Sequence, residues 1–121
     1  MGRLDEFETF RKEMNEKVLA EGNLETRRFW NLDGRVYEPG RLDSQTKEML
    51  GLVASLVLRC DDCVCYHLIQ CKDQGVDRQM LYEIINVALI VGGSITIPHV
   101  RRAVAFWDEL EARKQRSQDR G

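Results

Sequence analysis

Apolar residues recur at steps of three and four along most of the chain, the period of one face of a helix. Leu4, Phe7, Phe10, Met14 and Val18 form the first stripe, with Glu, Lys and Arg opposite. Gly22-Asn23 reads as its stop signal. A second, shorter helix is expected from about Asn23 to Leu32, closed by a turn at Asp33-Gly34. Val36 to Gly40 reads as an extended link that ends in a Pro39-Gly40 turn. Asp43 or Ser44 is the N-cap candidate of a third helix. Its apolar face is Met49, Leu50, Leu52, Val53, Leu56 and Val57, and it should run to about Leu58. A break near Arg59-Cys60 is expected, because Asp61 and Asp62 suit the first turn of a new helix. That fourth helix should reach about Lys72, with Gly75 at its C′ position.

Asp77 is placed to cap a fifth helix, with Val76 able to pack against Leu81 across its first turn. Ile84, Ile85, Val87, Ala88, Leu89, Ile90 and Val91 leave that helix almost no polar face. A helix apolar all round is buried all round. In so short a chain this implies burial against another subunit, with burial in the middle of a monomer as the competing arrangement. Gly92-Gly93 should break the helix, Ser94 could cap the next one, and Pro98 is tolerable only in a first turn. Val100, Ala103, Val104, Trp107 and Leu110 give the last amphipathic helix, with Arg and Lys at its end and fraying expected over 117–121. Ser94 to Ile97 alternates, but is too short and isolated to make a sheet. The pattern as a whole predicts an all-α fold of about six helices in one domain over 1–121.

Composition narrows the function classes. The length of 121 residues suits one domain with a modest core. The chain is 43% apolar and 31% charged, as soluble proteins are. Its 18 basic and 20 acidic residues give a net charge of −2, so nothing marks a nucleic-acid surface. No apolar run is long enough for a membrane span. The N-terminus, Met1 to Glu6, lacks the layout of a signal peptide. A cytoplasmic location is therefore expected. Structural disulfides are rare there, so four cysteines point to redox or metal chemistry.

Three of those cysteines and one histidine lie within Cys60-Asp61-Asp62-Cys63-Val64-Cys65-Tyr66-His67. On a helix, Cys60, Cys63 and His67 share one stripe, since residues three and four apart are neighbours. Zinc fits this stretch poorly. Cys60 and Cys71 would stand roughly 16 Å apart on one helix, whereas zinc needs its ligands around one point. Cys65 lies off the stripe and Cys71 two turns beyond Cys63, so both read as core residues. The remaining pair reads as a redox dithiol. His67 sits where it can take the proton of Cys63, and a helix N-terminus favours the thiolate. Cys63 would attack a peroxide oxygen or a disulfide sulfur, and Cys60 would close the disulfide. Asp61 and Asp62 oppose this by adding negative charge. His99, after Pro98, reads as structural. Arg101 and Arg102 fit either a salt-bridged surface or a site for an anionic substrate.

Glu48 lies twelve residues before Cys60. Taken alone, a glutamate in a first turn is a solvated, dipole-friendly residue. Glu48, Cys60-x-x-Cys63 and His67 together resemble the pattern of the alkylhydroperoxidase D-like branch of the carboxymuconolactone decarboxylase-like family. Gly92-Gly93-Ser94 and Ile97-Pro98-His99 are similar to that branch as well. The resemblance covers about Leu42 to Ala105. It implies a helical fold assembled as trimers or hexamers. It implies a relay in which Glu48 acts through His67 on Cys63, with Cys60 as partner. It also implies thiol-dependent peroxidase or disulfide reductase activity. The chain departs from the branch in carrying Asp61-Asp62 where its peroxidases often have a histidine. It departs from the true decarboxylases in having the cysteine pair at all.

The resulting expectation is a homo-oligomeric thiol oxidoreductase acting on a small hydroperoxide or disulfide. Its catalytic residues are Cys63, Cys60, His67 and Glu48, with no metal and no tightly bound cofactor. Electrons come from an outside dithiol, by family analogy a lipoylated protein. Two other readings use the same residues. One is acid–base chemistry by Glu48 and His67 on a small lactone or carboxylate. The other is a non-enzymatic oligomer whose dithiol senses redox state.

Overall fold

A computed structural model describes residues 2–120 of the chain, with side chains over 2–113. The elements run α1 (Arg3–Glu21), α2 (Leu24–Val36), α3 (Ser44–Val57), α4 (Asp61–Asp73), α5 (Arg78–Gly92), a 3-10 turn (Ser94–Thr96) and α6 (Ile97–Arg120). The described residues contain no strand, and the fold is all-α as the apolar period requires.

Four helices begin at a residue whose side chain accepts a backbone N–H left free by the first turn. Asn23 accepts from Thr26 at 3.1 Å, Asp43 from Thr46 at 2.8 Å and Asp77 from Met80 at 2.9 Å. Cys60 does the same for α4, through sulfur, from Cys63 at 3.2 Å. The end of α4 is a Schellman turn. Val76 N–H bonds the Cys71 carbonyl and Gly75 N–H that of Lys72, with Gly75 at φ +91°.

The core lies where α3, α4, α5 and α6 meet. Leu52, Leu56, Leu68, Leu81, Ile85, Phe106 and Trp107 are fully or almost fully buried there. Leu4 of α1 joins them, and Phe7 packs edge-on to Phe106 with centroids 5.9 Å apart. The rest of the α1 stripe leaves the core, because Phe10 and Met14 are exposed. Helix α2 buries no residue.

Three local expectations change. Helix α2 runs through Asp33-Gly34 to Val36, so the chain turns at Tyr37 to Gly40 instead. Asp-Gly permits a turn without requiring one, and Arg35 in the last turn favours continuation. Lys47 Nζ secures the new end by donating to the carbonyls of Val36 at 2.8 Å and Glu38 at 2.7 Å. Ser94 makes no side-chain cap; Gly93, at φ +80°, makes the break and Ser94 opens the 3-10 turn. Pro98 falls second in α6, where its missing N–H is harmless. Helix α6 continues to Arg120 through most of the segment expected to fray, and Gly121 lies outside the described residues.

Helix α5 is not buried all round within one chain. It turns Leu81, Ile84, Ile85 and Ala88 to the core and leaves Val87, Ile90 and Val91 in solvent, Ile90 at 85% exposure. The all-round burial expected from its sequence is not met within the single chain.

Candidate active site: a dithiol at a helix break

Helix α3 ends at Leu58 in a second Schellman turn. Cys60 N–H bonds the Ser55 carbonyl at 3.0 Å and Arg59 N–H that of Leu56 at 3.1 Å. The C′ residue is Arg59, at φ +60°, where glycine is usual. A left-handed arginine costs about 1 kcal/mol or more. What it achieves is a sharp turn that makes Cys60 both the last residue of one helix stop and the N-cap of the next. Cys60 is therefore extended, at φ −99° and ψ 97°, rather than helical.

This break brings the two sulfurs together. Cys60 and Cys63 are joined as a disulfide across a Cα separation of 5.2 Å, well inside the range for such a bond. Cys60 is half-buried and Cys63 is exposed. Cys65 and Cys71 are free and buried. Burial pushes the Cys65 thiol up to about 11 and the Cys71 thiol up to about 12. Arg3 Nη2, 3.7 Å from the Cys65 sulfur, opposes that rise only in part. Both thiols stay protonated at neutral pH.

One turn after Cys63, His67 is buried, and so is Glu48 on α3. His67 Nδ1 lies 2.8 Å from Glu48 Oε1. A carboxylate only accepts, so Nδ1 carries the hydrogen of this contact, and in the neutral ring Nε2 holds the lone pair. The ring is seated on Gly51, one turn after Glu48. A Cβ at Gly51 would lie 2.6 Å from His67 Cε1 and 2.8 Å from Nε2, which leaves room only for hydrogen. Tyr66 stands edge-on to the imidazole at 5.1 Å and Tyr37 tilts over it at 5.4 Å. Burial raises both phenol pKa values, and the Glu48 carboxylate raises them further. Tyr37 is held in place through its carbonyl, which accepts from Ser44 Oγ at 2.8 Å.

Cys63 and His67 open into one cleft of about 730 Å³ between α1, α2 and the start of α4. Phe7, Phe10, Phe29 and Trp30 form much of its wall. Arg11 stacks over Tyr66 at 4.5 Å on one side. This explains why α1 and α2 keep aromatic residues out of the core: they wall a space of ligand-pocket size.

The four residues singled out from the sequence thus form two pairs, Cys60–Cys63 at the α3–α4 junction and Glu48–His67 where α3 faces α4, and Cys63 and His67 line one cleft. Gly51 escaped that reading, although a glycine in the interior of an apolar helix is itself a signal. It costs the helix up to about 1 kcal/mol, so something must need the space. Tyr37 and the walls from α1 and α2 escaped because no spacing rule links those helices to α4.

Comparison with known proteins identifies the family. The model of the carboxymuconolactone decarboxylase family matches residues 25–106. Two crystal structures of one Thermotoga maritima protein superpose with TM-scores of 0.89 and 0.88. They are 54% and 53% identical, covering 92% and 93% of this chain and 97% and 95% of theirs. That protein is described as a carboxymuconolactone decarboxylase family protein with a suggested antioxidative role. A Legionella pneumophila protein of the same family shares the fold at TM-score 0.64 and 24% identity, over 87% of each chain. An uncharacterised Cupriavidus necator protein is 28% identical over 75 residues, 62% of this chain and 66% of its own length, just under two thirds. With the profile spanning most of its helices and the Thermotoga structures nearly all of them, the chain belongs to the carboxymuconolactone decarboxylase family.

Proposed function

We propose that the chain is a thiol-dependent oxidoreductase that reduces a hydroperoxide or a disulfide through Cys60 and Cys63. The observation that carries this reading is a disulfide at a helix break whose exposed member shares a cleft with a histidine backed by a buried carboxylate. The suggested antioxidative role of the Thermotoga protein points the same way.

In the reduced enzyme His67 Nε2 takes the Cys63 proton, directly or through a water. The cation formed is stabilised by Glu48. The Cys63 thiolate attacks the outer oxygen of a hydroperoxide. An S–O bond forms, the O–O bond breaks, and the leaving alkoxide takes a proton from His67 and departs as an alcohol. Cys63 is then a sulfenic acid. The Cys60 thiol attacks that sulfur, so the S–S bond forms, the S–O bond breaks and water leaves. An external dithiol, for which a lipoylated protein is the family analogue, returns two electrons and two protons by disulfide exchange. A reducing, cytoplasmic setting suits this cycle, because the resting dithiol must be kept reduced. The chain works as a homo-oligomer, a trimer or hexamer, in which the exposed side of α5 around Ile90 is covered.

The test counts thiols by mass spectrometry on the reduced protein before and after a pulse of stoichiometric hydroperoxide. Rapid formation of the Cys60–Cys63 disulfide is expected, and none in Cys63→Ser. Four unreacted thiols in the native sequence would overturn the peroxidase reading and turn attention to disulfide substrates.

The burial of Glu48 against His67 also favours a second reading, acid–base chemistry on a small lactone or carboxylate in the same cleft. It requires turnover that survives when Cys60 and Cys63 are both serine.

A further inference from the structure

A second histidine–carboxylate contact lies on the other side of the dithiol. Asp61 is the first residue of α4 and sits between the two cysteines in sequence. Its Oδ1 accepts from His99 Nδ1 at 2.8 Å, and Arg102 Nη1 lies 3.5 Å from Oδ2. His99 and Arg102 are three apart on the first turns of α6, so they share one face. That face is aimed by Gly93 and the 3-10 turn, which start α6 beside the N-terminus of α4. Asp62 differs. It lines the cleft with Cys63 and makes no ion pair among the described residues.

An aspartate at this position has opposite effects on two neighbours. It favours the helix N-terminus. It disfavours a thiolate at Cys60 beside it or at Cys63 two residues on, because like charges oppose ionisation. The charge that the sequence sets against the dithiol therefore meets two donors from another helix.

We infer that His99 and Arg102 are positioning residues of the dithiol, which hold the Asp61 carboxylate against α6 and offset its charge beside Cys60 and Cys63. The inference rests on the dithiol reading above, and concerns how readily Cys63 becomes a nucleophile. Neither residue lines the cleft. With the Asp61 carboxylate paired to α6, its charge opposes a thiolate at Cys63 less than a free carboxylate would.

The experiment is alkylation of the fully reduced protein by iodoacetamide at one fixed, near-neutral pH, with the label located by fragmentation of the peptide 60–72. Asp61→Asn should speed alkylation of Cys63 about two- to fivefold, and His99→Gln should slow it by a similar factor. The double variant should match Asp61→Asn, because His99 has no charge left to offset. The potential of the Cys60–Cys63 couple, read by equilibration with dithiothreitol, should become more negative in His99→Gln and less negative in Asp61→Asn. A merely structural histidine would slow alkylation equally with and without the Asp61 carboxylate, and that result overturns the inference. So does an Asp61→Asn that reacts no faster than the native sequence. Should His99→Gln not fold, Arg102→Gln replaces it in the same cycle with a smaller effect. Alkylation needs no peroxide, so failure of the peroxidase reading and failure of this inference are separate results.

Discussion

The chain holds two histidine–carboxylate pairs with the same 2.8 Å contact, Glu48–His67 and Asp61–His99. The histidines are shielded alike, with side chains 11% and 17% exposed. The carboxylates are not, at 5% for Glu48 and 36% for Asp61. Asp61 can share its charge with Arg102 and with water. Glu48 faces His67 and the interior. Equal distances therefore hide unequal chemistry. A proton arriving at His67 meets a buried carboxylate partner, which is what the proposed base requires. The Asp61 pair is a hydrated clamp that tunes its surroundings and gains little for itself.

Removing each carboxylate should expose the difference most strongly. Glu48→Ala leaves the His67 N–H buried without an acceptor, which costs about 2–4 kcal/mol. In a chain of this length that lowers the melting temperature on the order of 10 °C. Asp61→Ala should cost under about 1 kcal/mol, because water replaces the carboxylate. Thermal unfolding followed by circular dichroism separates the two. Equal losses would mean that burial does not distinguish the pairs.

The next largest effect concerns the seat of the buried ring. Gly51→Ala places a methyl group 2.6 Å from His67 Cε1, so the imidazole must move. The crowding costs about 1–3 kcal/mol, and better helix propensity returns up to about 1. Stability should thus change modestly while peroxide turnover falls at least about tenfold, since a displacement near 1 Å disrupts a reacting geometry. Among the described residues no glycine underlies His99 in this way, and full turnover in Gly51→Ala would show that the ring position does not matter.

These pairs were not equally legible in the sequence. The caps at Asp43 and Asp77, the break before Asp61 and the stop at Gly75 could be read from local chemistry, because each is settled within a few residues. The face shared by Cys63 and His67 followed from helical spacing. Glu48 did not follow from spacing; only the resemblance joined it to His67, since the contact depends on how α3 crosses α4. Asp61 and His99 are 38 residues apart and their contact depends on how α6 enters after Gly93. No periodicity encodes that. The Asp33-Gly34 turn failed for the opposite reason. The local signal was present, but Lys47 and Ser44 hold the chain end one turn later, at Val36 to Glu38.

The smallest effect offers the sharpest separation of the pairs. Glu48→Gln and Asp61→Asn each keep an oxygen that can accept from the histidine and remove only the charge. The difference in stability between the native sequence and Asp61→Asn should be a few tenths of a kcal/mol at low salt. It should vanish by 1 M salt, where the screening length falls to about 3 Å, shorter than the 3.5 Å contact to Arg102. The increment for Glu48→Gln should be larger and keep its value over the same range, because the Glu48 side chain is buried away from the cleft and screened little by ions. Urea unfolding of the three proteins at several salt concentrations measures both slopes. A salt-insensitive Asp61 increment would mean that the clamp is desolvated in the assembled protein. The neighbouring face of α6 would then be covered by another subunit, and His99 would act in the same enclosed manner as His67.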